Sequence, residues 1–313
     1  MARTRVVIDT DPGVDDAVAI LLAVASPELD VVGITTVNGN VAVDLTTTNA
    51  RRLLELARAS HVPIAAGAAV PLGGPVEHAA QVHGNDGLGD LSWEEPSISI
   101  DSRDAVDLIS DLADEGPLTL IAIGPLTNLA ELVRRRPETV AKLERVVIMG
   151  GASFMGNVTA VAEFNVWADP EAAAVVAAQE WPVTWLPLDV THQVWLDDHD
   201  IDVFGSWGTE LGDRLAGMLR PYANFYESVT GVRHTIMHDA LAIYEVIAPG
   251  AISSDVAGVN VECGGDFARG MTIFDRRGVD RQSNHRVGAS VDRARFTALL
   301  HERLARLNDF LRD

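Results

Sequence analysis

The chain of 313 residues is 47% hydrophobic and 22% charged, a composition typical of a globular protein with one large or two ordinary domains. Its formal net charge of -21 argues against nucleic acid or an anionic membrane as a partner, because both bind clustered Lys and Arg. Cys263 is the only cysteine, which excludes an intrachain disulfide and a cysteine zinc cluster and favours a reducing compartment.

The start of the chain leads directly into an apolar strand pattern. No signal-type stretch precedes that pattern, and no run of about 18 apolar residues occurs anywhere in the sequence. We therefore expect a cytoplasmic protein.

Residues 5–20, RVVIDTDPGVDDAVAI, place several carboxylates between an apolar strand and an apolar helix. The carboxyl end of a strand is where open α/β sheets bind their ligands. Carboxylates packed this densely repel one another by roughly a kcal/mol or more per close pair, so Ca²⁺ or Mg²⁺ is the predicted neutraliser. Helix capping would explain either residue of the Asp-Asp pair but not the two earlier aspartates. We expect all four to converge: Asp9, Asp11, Asp15 and Asp16.

The rest of the chain alternates strand and helix patterns. Further strands are predicted at residues 29–37, 63–68, 118–123, 143–149 and 183–188. Helices are predicted at residues 43–60, 105–113, 169–180 and 296–310, with another that ends at residue 136 and an interrupted one over 212–245. Residues 256–291 have the pattern of antiparallel or irregular strands. The alternation predicts a single α/β domain over residues 1–313, with an open, mostly parallel, doubly wound sheet and helices on both faces.

Polar side chains follow several of these strands. Asn38-Gly39-Asn40 has a hairpin-like sequence, but the helical pattern after it favours a strand-to-helix loop. The glycine-rich segment VHGNDGLGD at residues 82–90 is consistent with a plain surface loop or with a loop that closes over a ligand. The long loop at residues 150–165 is either solvated or binds sugar hydroxyls, because its amides and carboxylate suit that task. Its candidate residues are Asn157, Glu163 and Asn165.

Five residues fall at intervals of four, which places neighbours on one helix face. They are Tyr222, Tyr226, Thr230, His234 and His238. Such a stripe is more often core than ligand wall, and the β-branched residues and glycine at 229–231 predict a break in the helix. His238-Asp239 then opens a second apolar helix, as Asp15-Asp16 opens the first. Both helix starts can therefore point to one cation.

Eight short motifs occur in an order that resembles the nucleoside hydrolases, the inosine-uridine-preferring nucleoside N-ribohydrolase family. The motifs are DTDPGVDDA, VNGN, HGNDGLG, GPLTN, VVIMGGA, AEFN, LDVTH and HDA. The resemblance implies calcium-dependent hydrolysis of the N-glycosidic bond of ribonucleosides to ribose and free base, in nucleoside salvage or catabolism. It also implies a homodimer or homotetramer.

The resemblance implies a role for each matching residue. Asp11 would take a proton from the attacking water, and His238 would protonate the leaving base. The implied calcium ligands are Asp11, Asp16, Asp239 and the backbone carbonyl of Ile123. The implied substrate-binding residues are Asp15, Asn40, His83, Met149, Asn157, Glu163, Asn165, Tyr222 and Tyr226.

The tyrosines beside the leaving-group histidine predict that purines and pyrimidines are both accepted, inosine and uridine included. The HGNDGLG loop contains no tryptophan, which speaks against the purine-specific members of the family.

Two alternatives come from other classes of protein. A haloacid-dehalogenase-like phosphohydrolase would use Asp9 as nucleophile, Asp11 as acid/base and Mg²⁺, but Lys142, the only lysine, lacks the context that such an enzyme needs. A non-catalytic ribonucleoside-binding protein would need no group to activate water. The intact Asp11 and His238 argue against it.

Overall fold

The computed structural model describes residues 3–278 and 285–312. The strands are β1 Thr4–Thr10, β2 Leu29–Thr36, β3 Ile64–Ala66, β4 Leu118–Ala122, β5 Leu143–Met149, β6 Val183–Leu186, β7 Trp195–Leu196, β8 Thr235–Ile236, β9 Ile252–Val256, β10 Gly258–Val261, β11 Thr272–Asp275 and β12 Arg286–Val291. The helices are α1 Val14–Ala25, α2 Val43–Leu56, α3 Ala80–His83, α4 Ala105–Asp114, α5 Thr127–Arg135, α6 Pro137–Val140, α7 Phe164–Ala168, α8 Pro170–Ala177, α9 Leu188–Thr191, α10 Asp198–Gly205, α11 Glu210–Thr230, α12 His238–Ile247 and α13 Arg293–Arg312.

Within the described ranges, one sheet of eight strands has the order β3-β2-β1-β4-β5-β6-β12-β9. Every neighbouring pair in it is parallel except β9 and β12. Parallel strands need crossover connections, and helices supply most of them here. The predicted fold class, a mostly parallel α/β sheet, is confirmed.

The sheet has an apolar layer on each face. Val6 and Ile8 of β1 belong to a buried cluster with α1, α2, α11, α12 and α13, whereas Val7 belongs to a second cluster with α4, α5 and α8. This division follows from the two-residue period of a strand. The helix α1 is apolar almost all round and is buried from Val14 to Ala23, which fixes its N-terminus firmly in the structure.

Some predicted boundaries differ from the structure. The predicted break in 212–245 is confirmed: α11 ends at Thr230 and is capped by Gly231, whose φ of 75° is left-handed, and α12 begins at His238. The prediction of one loop over 150–165 is wrong at its end, because α7 starts at Phe164.

The antiparallel strands predicted within 256–291 are largely confirmed. β10 pairs with β11 and β12 pairs with β9, both antiparallel, although β12 is also parallel to β6 on its other side. Positions 279–284 of that segment lie outside the described residues. No helix in the described part of the chain is long and apolar enough to cross a membrane.

Candidate active site

A cavity of about 600 Å³ opens where the strands of the sheet end. Ile123 directly follows β4, Met149 is the last residue of β5, and Asn40 lies in the loop after β2. All the predicted site residues except Asp11 and Asp16 line this cavity, and those two are fully buried behind it. The lining residues from the predicted set are Asp15, Asn40, His83, Ile123, Met149, Asn157, Glu163, Asn165, Tyr222, Tyr226, His238 and Asp239.

Two helix N-termini bring a carboxylate cluster together. Asp15 and Asp16 lie in the first turn of α1, and Asp239 lies in the first turn of α12, which packs against α1. One carboxylate oxygen from each lies within 4.8 Å of the other two. Asp11 is joined to this group through Asn40, whose backbone N–H donates to Asp11 Oδ2 at 2.7 Å and whose Nδ2 donates to Asp16 Oδ2 at 3.1 Å.

Burial raises the pKa of all four of these carboxyl groups above its ordinary value. Repulsion adds to the effect of burial. Together with burial, the charge of Asp16 raises the pKa of Asp15 to about 8 and raises the pKa of Asp11 further. The charge of Asp15 likewise raises the pKa of Asp239. The cluster thus disfavours its own negative charge and would be stabilised by a positive one.

The residues present fit a hard divalent cation. Among the described residues, the buried Asp11 Oδ1 has no hydrogen-bond partner. The Ile123 carbonyl accepts one hydrogen bond, from Asn165 Nδ2 at 2.9 Å, and its second lone pair remains available. The ligand set is therefore made of oxygen atoms, which Ca²⁺ and Mg²⁺ prefer.

Asp9 is not part of this cluster, so the expectation that four N-terminal aspartates converge was wrong. Strand β1 continues past Asp9, and the strand period turns its side chain to the face that packs against α4 and α5. There its carboxylate accepts from Thr35 Oγ1 at 2.6 Å and from Asn128 Nδ2 at 2.7 Å, with 0% exposure. Because this carboxylate points away from the cluster towards α4 and α5 and its partners hold it there, it cannot act as a nucleophile in the cavity, which removes the phosphohydrolase alternative. Asp239 supplies the fourth carboxylate instead.

The structure shows which end of the Asn40 and Asn165 side-chain amides is free to bind a ligand. Asn165 uses its Nδ2 on the carbonyls of Ile123 and Met149, at 2.9 and 3.3 Å. Asn40 uses its Nδ2 on Asp11 O and Asp16 Oδ2. Both Oδ1 atoms are therefore left to accept hydrogen bonds from a ligand, as sugar hydroxyls would donate them.

Glu163 and Asn157 organise the neighbouring loop. The Glu163 carboxylate caps α7, accepting from the backbone N–H of Asn165 at 2.9 Å and of Val166 at 3.1 Å, and from that of Gly151 at 2.9 Å. Burial raises its pKa to about 7. Asn157 Oδ1 accepts from a backbone N–H at 2.9 Å, which leaves its Nδ2 as a donor. A sequence pattern alone does not show that Glu163 is a helix cap as well as a cavity residue.

The sequence predicted that His83 belongs to the glycine-rich loop, but in the structure it is the last residue of α3. Its Nδ1 accepts the backbone N–H of Val14 at 3.1 Å, so the ring hydrogen is on Nε2. Burial lowers the pKa of His83 to about 3, which keeps the ring neutral, and the ring stacks on Tyr222 with centroids 5.5 Å apart. His83 can therefore donate one hydrogen bond to a ligand in the cavity.

The glycine-rich loop after His83 is anchored to the aspartate turn. Asn49 of α2 donates from Nδ2 to the carbonyls of Pro12 and Asp86, at 3.1 and 2.7 Å. Gly87 passes through this contact with a φ of 84°, and a Cβ there would lie 2.9 Å from Asn49 Nδ2. The reading of this segment as an untethered surface loop is therefore wrong.

His238 has hydrogen bonds at both ring nitrogens. Its Nε2 lies 2.8 Å from the Tyr226 hydroxyl, and its Nδ1 lies 2.8 Å from Thr191 Oγ1. The Tyr226 hydroxyl lies 3.4 Å from that of Tyr222. Burial, and then the neighbouring His192, hold the pKa of His238 well below its ordinary value, so the ring is neutral.

Sequence reasoning assigned no role to three residues that lie near His238 or Tyr226. Thr191 and His192 follow β6, and the ring of His192 lies 5.5 Å from that of His238. His234 stacks on Tyr226 with centroids 5.6 Å apart, although α11 has already ended at Thr230. The LDVTH motif after a strand was a usable signal for the first two.

Comparison with known proteins gives a consistent family. A family model described as inosine-uridine preferring nucleoside hydrolase matches residues 6–298. A pyrimidine-specific ribonucleoside hydrolase, RihA, of Salmonella arizonae is 39% identical over 303 residues, which are 96% of this chain and 97% of that protein. An inosine-uridine preferring nucleoside hydrolase of Leishmania major is 37% identical over 314 residues, which cover 97% of this chain and 98% of that protein.

Solved structures agree with the sequence relatives. A purine-preferring ribonucleoside hydrolase from Gardnerella vaginalis aligns with a TM-score of 0.94 and 30% identity, over 98% of this chain and 100% of that one. A plant nucleoside hydrolase, PpNRh1, aligns with a TM-score of 0.89 and 33% identity, over 97% of this chain and 99% of that one. This chain therefore belongs to the inosine-uridine preferring nucleoside hydrolase family and is an enzyme that hydrolyses the N-glycosidic bond of ribonucleosides.

Proposed function

We propose that this enzyme is calcium-dependent and hydrolyses both inosine-type and uridine-type ribonucleosides, releasing ribose and free base for nucleoside salvage or catabolism. The observation that carries the proposal is the arrangement of the cavity. Asp15 and Asp239 of the carboxylate cluster line it together with the hydrogen-bonded His238. Asp11 and Asp16, the other two members of the cluster, are fully buried. The cluster suits activation of water, and His238 suits protonation of a leaving base.

Asp11, Asp16, Asp239 and the Ile123 carbonyl would hold the cation. A bound Ca²⁺ would offset their negative charge and increase the acidity of a nearby water. Asp11 is the best-placed base, because its buried Oδ1 has no partner among the described residues. Its other oxygen is fixed by the N–H of Asn40, so Oδ1 has a defined direction for taking the proton of the attacking water.

The ribose hydroxyls would be held by the amide ends and carboxylates that remain available. Asn40 and Asn165 can each accept through Oδ1, and Asn157 can donate through Nδ2. An ionised carboxylate has about four lone-pair sites, of which Glu163 uses three on backbone N–H groups, so one remains for a hydroxyl. Asp15 would accept another. These contacts favour the transition state if they strengthen as positive charge develops on the sugar.

His238 would donate the proton that the leaving base requires. The resting ring is neutral, so it would first take up a proton from solvent; the imidazolium would then give its Nε2 hydrogen to the base and keep its Nδ1 hydrogen beside Thr191 Oγ1, which returns the ring to neutral. The Tyr226 hydroxyl beside Nε2 can take part in the transfer. Proton transfer by a positioned side chain contributes typically 10²–10⁴-fold to a rate. The base would then leave as a neutral molecule rather than as an anion.

The names of the relatives differ in the preferred base, and the wall of the cavity supports a broad preference in this chain. His83, Tyr222 and Tyr226 present ring faces and a few donors rather than a set of groups matched to one base edge. No tryptophan is among the described residues that line the cavity. Stacking of this kind tolerates purine and pyrimidine rings, which supports inosine and uridine as substrates.

The test is a reducing-sugar assay over a panel of ribonucleosides, before and after prolonged chelation, with calcium added back. We expect ribose release from inosine and uridine that disappears on chelation and returns with calcium. Full turnover by metal-free protein would contradict the calcium role, and release from only one class of base would contradict the proposed range. Light scattering of the same samples tests the proposed homodimer or homotetramer, and cell fractionation tests the cytoplasmic location.

A further inference from the structure

Asn49 of α2 is fully buried and joins two segments of the site through its side-chain amide. Its Nδ2 donates to Pro12 O at 3.1 Å, in the aspartate turn between β1 and α1, and to Asp86 O at 2.7 Å, in the glycine-rich loop at residues 84–90. Its Oδ1 accepts from Arg52 Nη1 at 3.1 Å. Two carbonyl oxygens are both acceptors, so the link between turn and loop requires the two hydrogens of this amide.

The glycine-rich loop satisfies most of its hydrogen bonds internally. Asp86 Oδ1 accepts from the backbone N–H of Leu88 at 2.8 Å and of Asp90 at 2.9 Å, and Asp90 Oδ1 accepts in turn from the N–H of Asp86 at 3.3 Å. In the described part of the chain, the bond from Asn49 is the one hydrogen bond that joins residues 84–90 to an element other than α3. The polar attachment of the loop to the rest of the protein therefore depends on Asn49.

Two anchors hold the loop, and they act on different halves of it. Leu88 is fully buried in the apolar core and holds the half that leads away from the site, whereas Asn49 holds the half beside His83. Without the amide hydrogens, the carbonyls of Pro12 and Asp86 would lie close together with no donor between them, which is unfavourable. Pro12 is buried but Asp86 is half-buried, so the loop is the side that can move outwards to water.

We propose that Asn49 is a positioning residue, which holds the glycine-rich loop against the aspartate turn and thereby places the ring of His83 in the cavity. This inference rests on the proposed function, in which His83 forms part of the wall that faces the base. The ring of His83 lines the cavity and accepts the N–H of Val14 at 3.1 Å, a second polar link between the start of α1 and the end of α3. Asn49 is absent from the cavity lining, so it acts on a substrate only through the loop.

The aspartate turn has hydrogen bonds that do not involve Asn49. Gly13 N–H donates to Asp16 Oδ2 at 2.9 Å, and Asn40 Nδ2 donates to Asp11 O at 3.1 Å. These bonds keep the turn in place when Asn49 loses its donors. Loss of the amide should therefore weaken substrate binding more than the chemical step, which raises KM rather than lowering kcat.

The experiment uses Asn49→Leu, which keeps the branched shape of the side chain but has no donor. We expect KM for inosine to rise about ten-fold, the scale of one hydrogen bond, with kcat within about three-fold of wild type. In a His83→Ala background the same change should alter kcat/KM by less than about two-fold, because the contact through which Asn49 acts is already lost. Additive losses in the double variant, or a wild-type KM in either single variant, would overturn the positioning role.

Asn308→Leu is the matched control. Asn308 is another buried asparagine on a helix, and its Oδ1 accepts from Thr209 Oγ1, away from the loop and the turn. The same substitution there removes a buried amide and should leave KM for inosine unchanged. An equal rise in KM for both variants would show a general loss of packing and would also overturn the inference.

Gly87→Ala tests the same contact from the side of the loop. A Cβ at Gly87 would lie 2.9 Å from Asn49 Nδ2 and 3.0 Å from Pro12 O, so it should push the loop away from the turn and raise KM as Asn49→Leu does. This variant keeps the inference testable if Asn49→Leu does not fold. A wild-type KM in Gly87→Ala would contradict the inference.

Hydrogen exchange followed by mass spectrometry measures the position of the loop without an activity assay. We expect faster exchange in peptides that cover residues 84–90 of Asn49→Leu, and wild-type exchange there in Asn308→Leu. Unchanged exchange at residues 84–90 of Asn49→Leu would overturn the inference. The proposed function fails separately, if wild-type enzyme releases no ribose from inosine.

Discussion

Replacing Asp239 by Asn should stabilise the metal-free protein and abolish most of its response to calcium. The carboxylate of Asp239 is buried against Asp15 and Asp16. Burial raises the pKa of Asp239, and the charges of Asp15 and Asp16 raise it further. An amide of the same shape removes one negative charge and can donate to its neighbours. The same change removes one proposed ligand of the cation.

The magnitude follows from the spacing of the cluster. Two unit charges 4.8 Å apart repel by about 3 kcal/mol at an effective dielectric near 20. Because the raised pKa values leave the cluster partly protonated near neutral pH, we expect a gain of roughly 1–3 kcal/mol. At about 2 °C per kcal/mol for a chain of this length, the Tm of the metal-free protein should rise by about 2–6 °C.

Thermal unfolding in chelator and in excess calcium measures both effects. Calcium at about 100 times its Kd should raise the wild-type Tm by about 5 °C, since such binding stabilises by about 2.7 kcal/mol, and it should raise that of Asp239→Asn much less. The reasoning is refuted if the metal-free variant melts below metal-free wild type while the calcium response is retained.

Asp169→Asn is the control, and we expect it to change the Tm in the opposite direction. Asp169 is equally buried, but its neighbours are donors: Thr127 Oγ1 and Leu72 N–H at 2.7 Å, and Ala172 N–H at 3.1 Å. An amide there loses charge-assisted hydrogen bonds, so the Tm should fall and the calcium response should stay. A rise in Tm for both variants would show that the amide itself, rather than relief of repulsion, is responsible.

Three further predictions concern catalysis. Asp11→Asn should lower kcat by about 10²–10⁴-fold with inosine still bound, and near-normal kcat in steady-state assays would remove Asp11 as the base. A 2′-deoxynucleoside leaves Asp15 without its proposed partner, so kcat/KM for deoxyuridine should fall far below that for uridine; equal values would contradict the ribose contacts. His238→Ala should impair inosine hydrolysis far more than that of p-nitrophenyl riboside, whose leaving group departs as a stable anion without a proton, and parallel losses would leave His238 with a packing role.

Several features of this protein were determined by local sequence. A β-branched run, a Pro-Gly turn and an apolar helix in succession are sufficient to predict a strand-to-helix junction, and their alternation along the chain predicted the parallel sheet. The placement of Asp11 and Asp16 beside one cavity followed, because polar residues after parallel strands share one edge of the sheet. The ordered motifs, from DTDPGVDDA to HDA, were also specific enough to predict the family.

Other features were decided only by the tertiary structure. The length of β1 turns Asp9 to the opposite face, and the packing of α12 on α1 brings Asp239 into the cluster from more than two hundred residues away. The pairing of β7 with β8 brings Thr191 to the Nδ1 of His238. Local patterns report which side chains are polar and which elements form. Which hydroxyl faces which ring nitrogen depends on contacts between segments distant in sequence, and those contacts arise only when the layers pack.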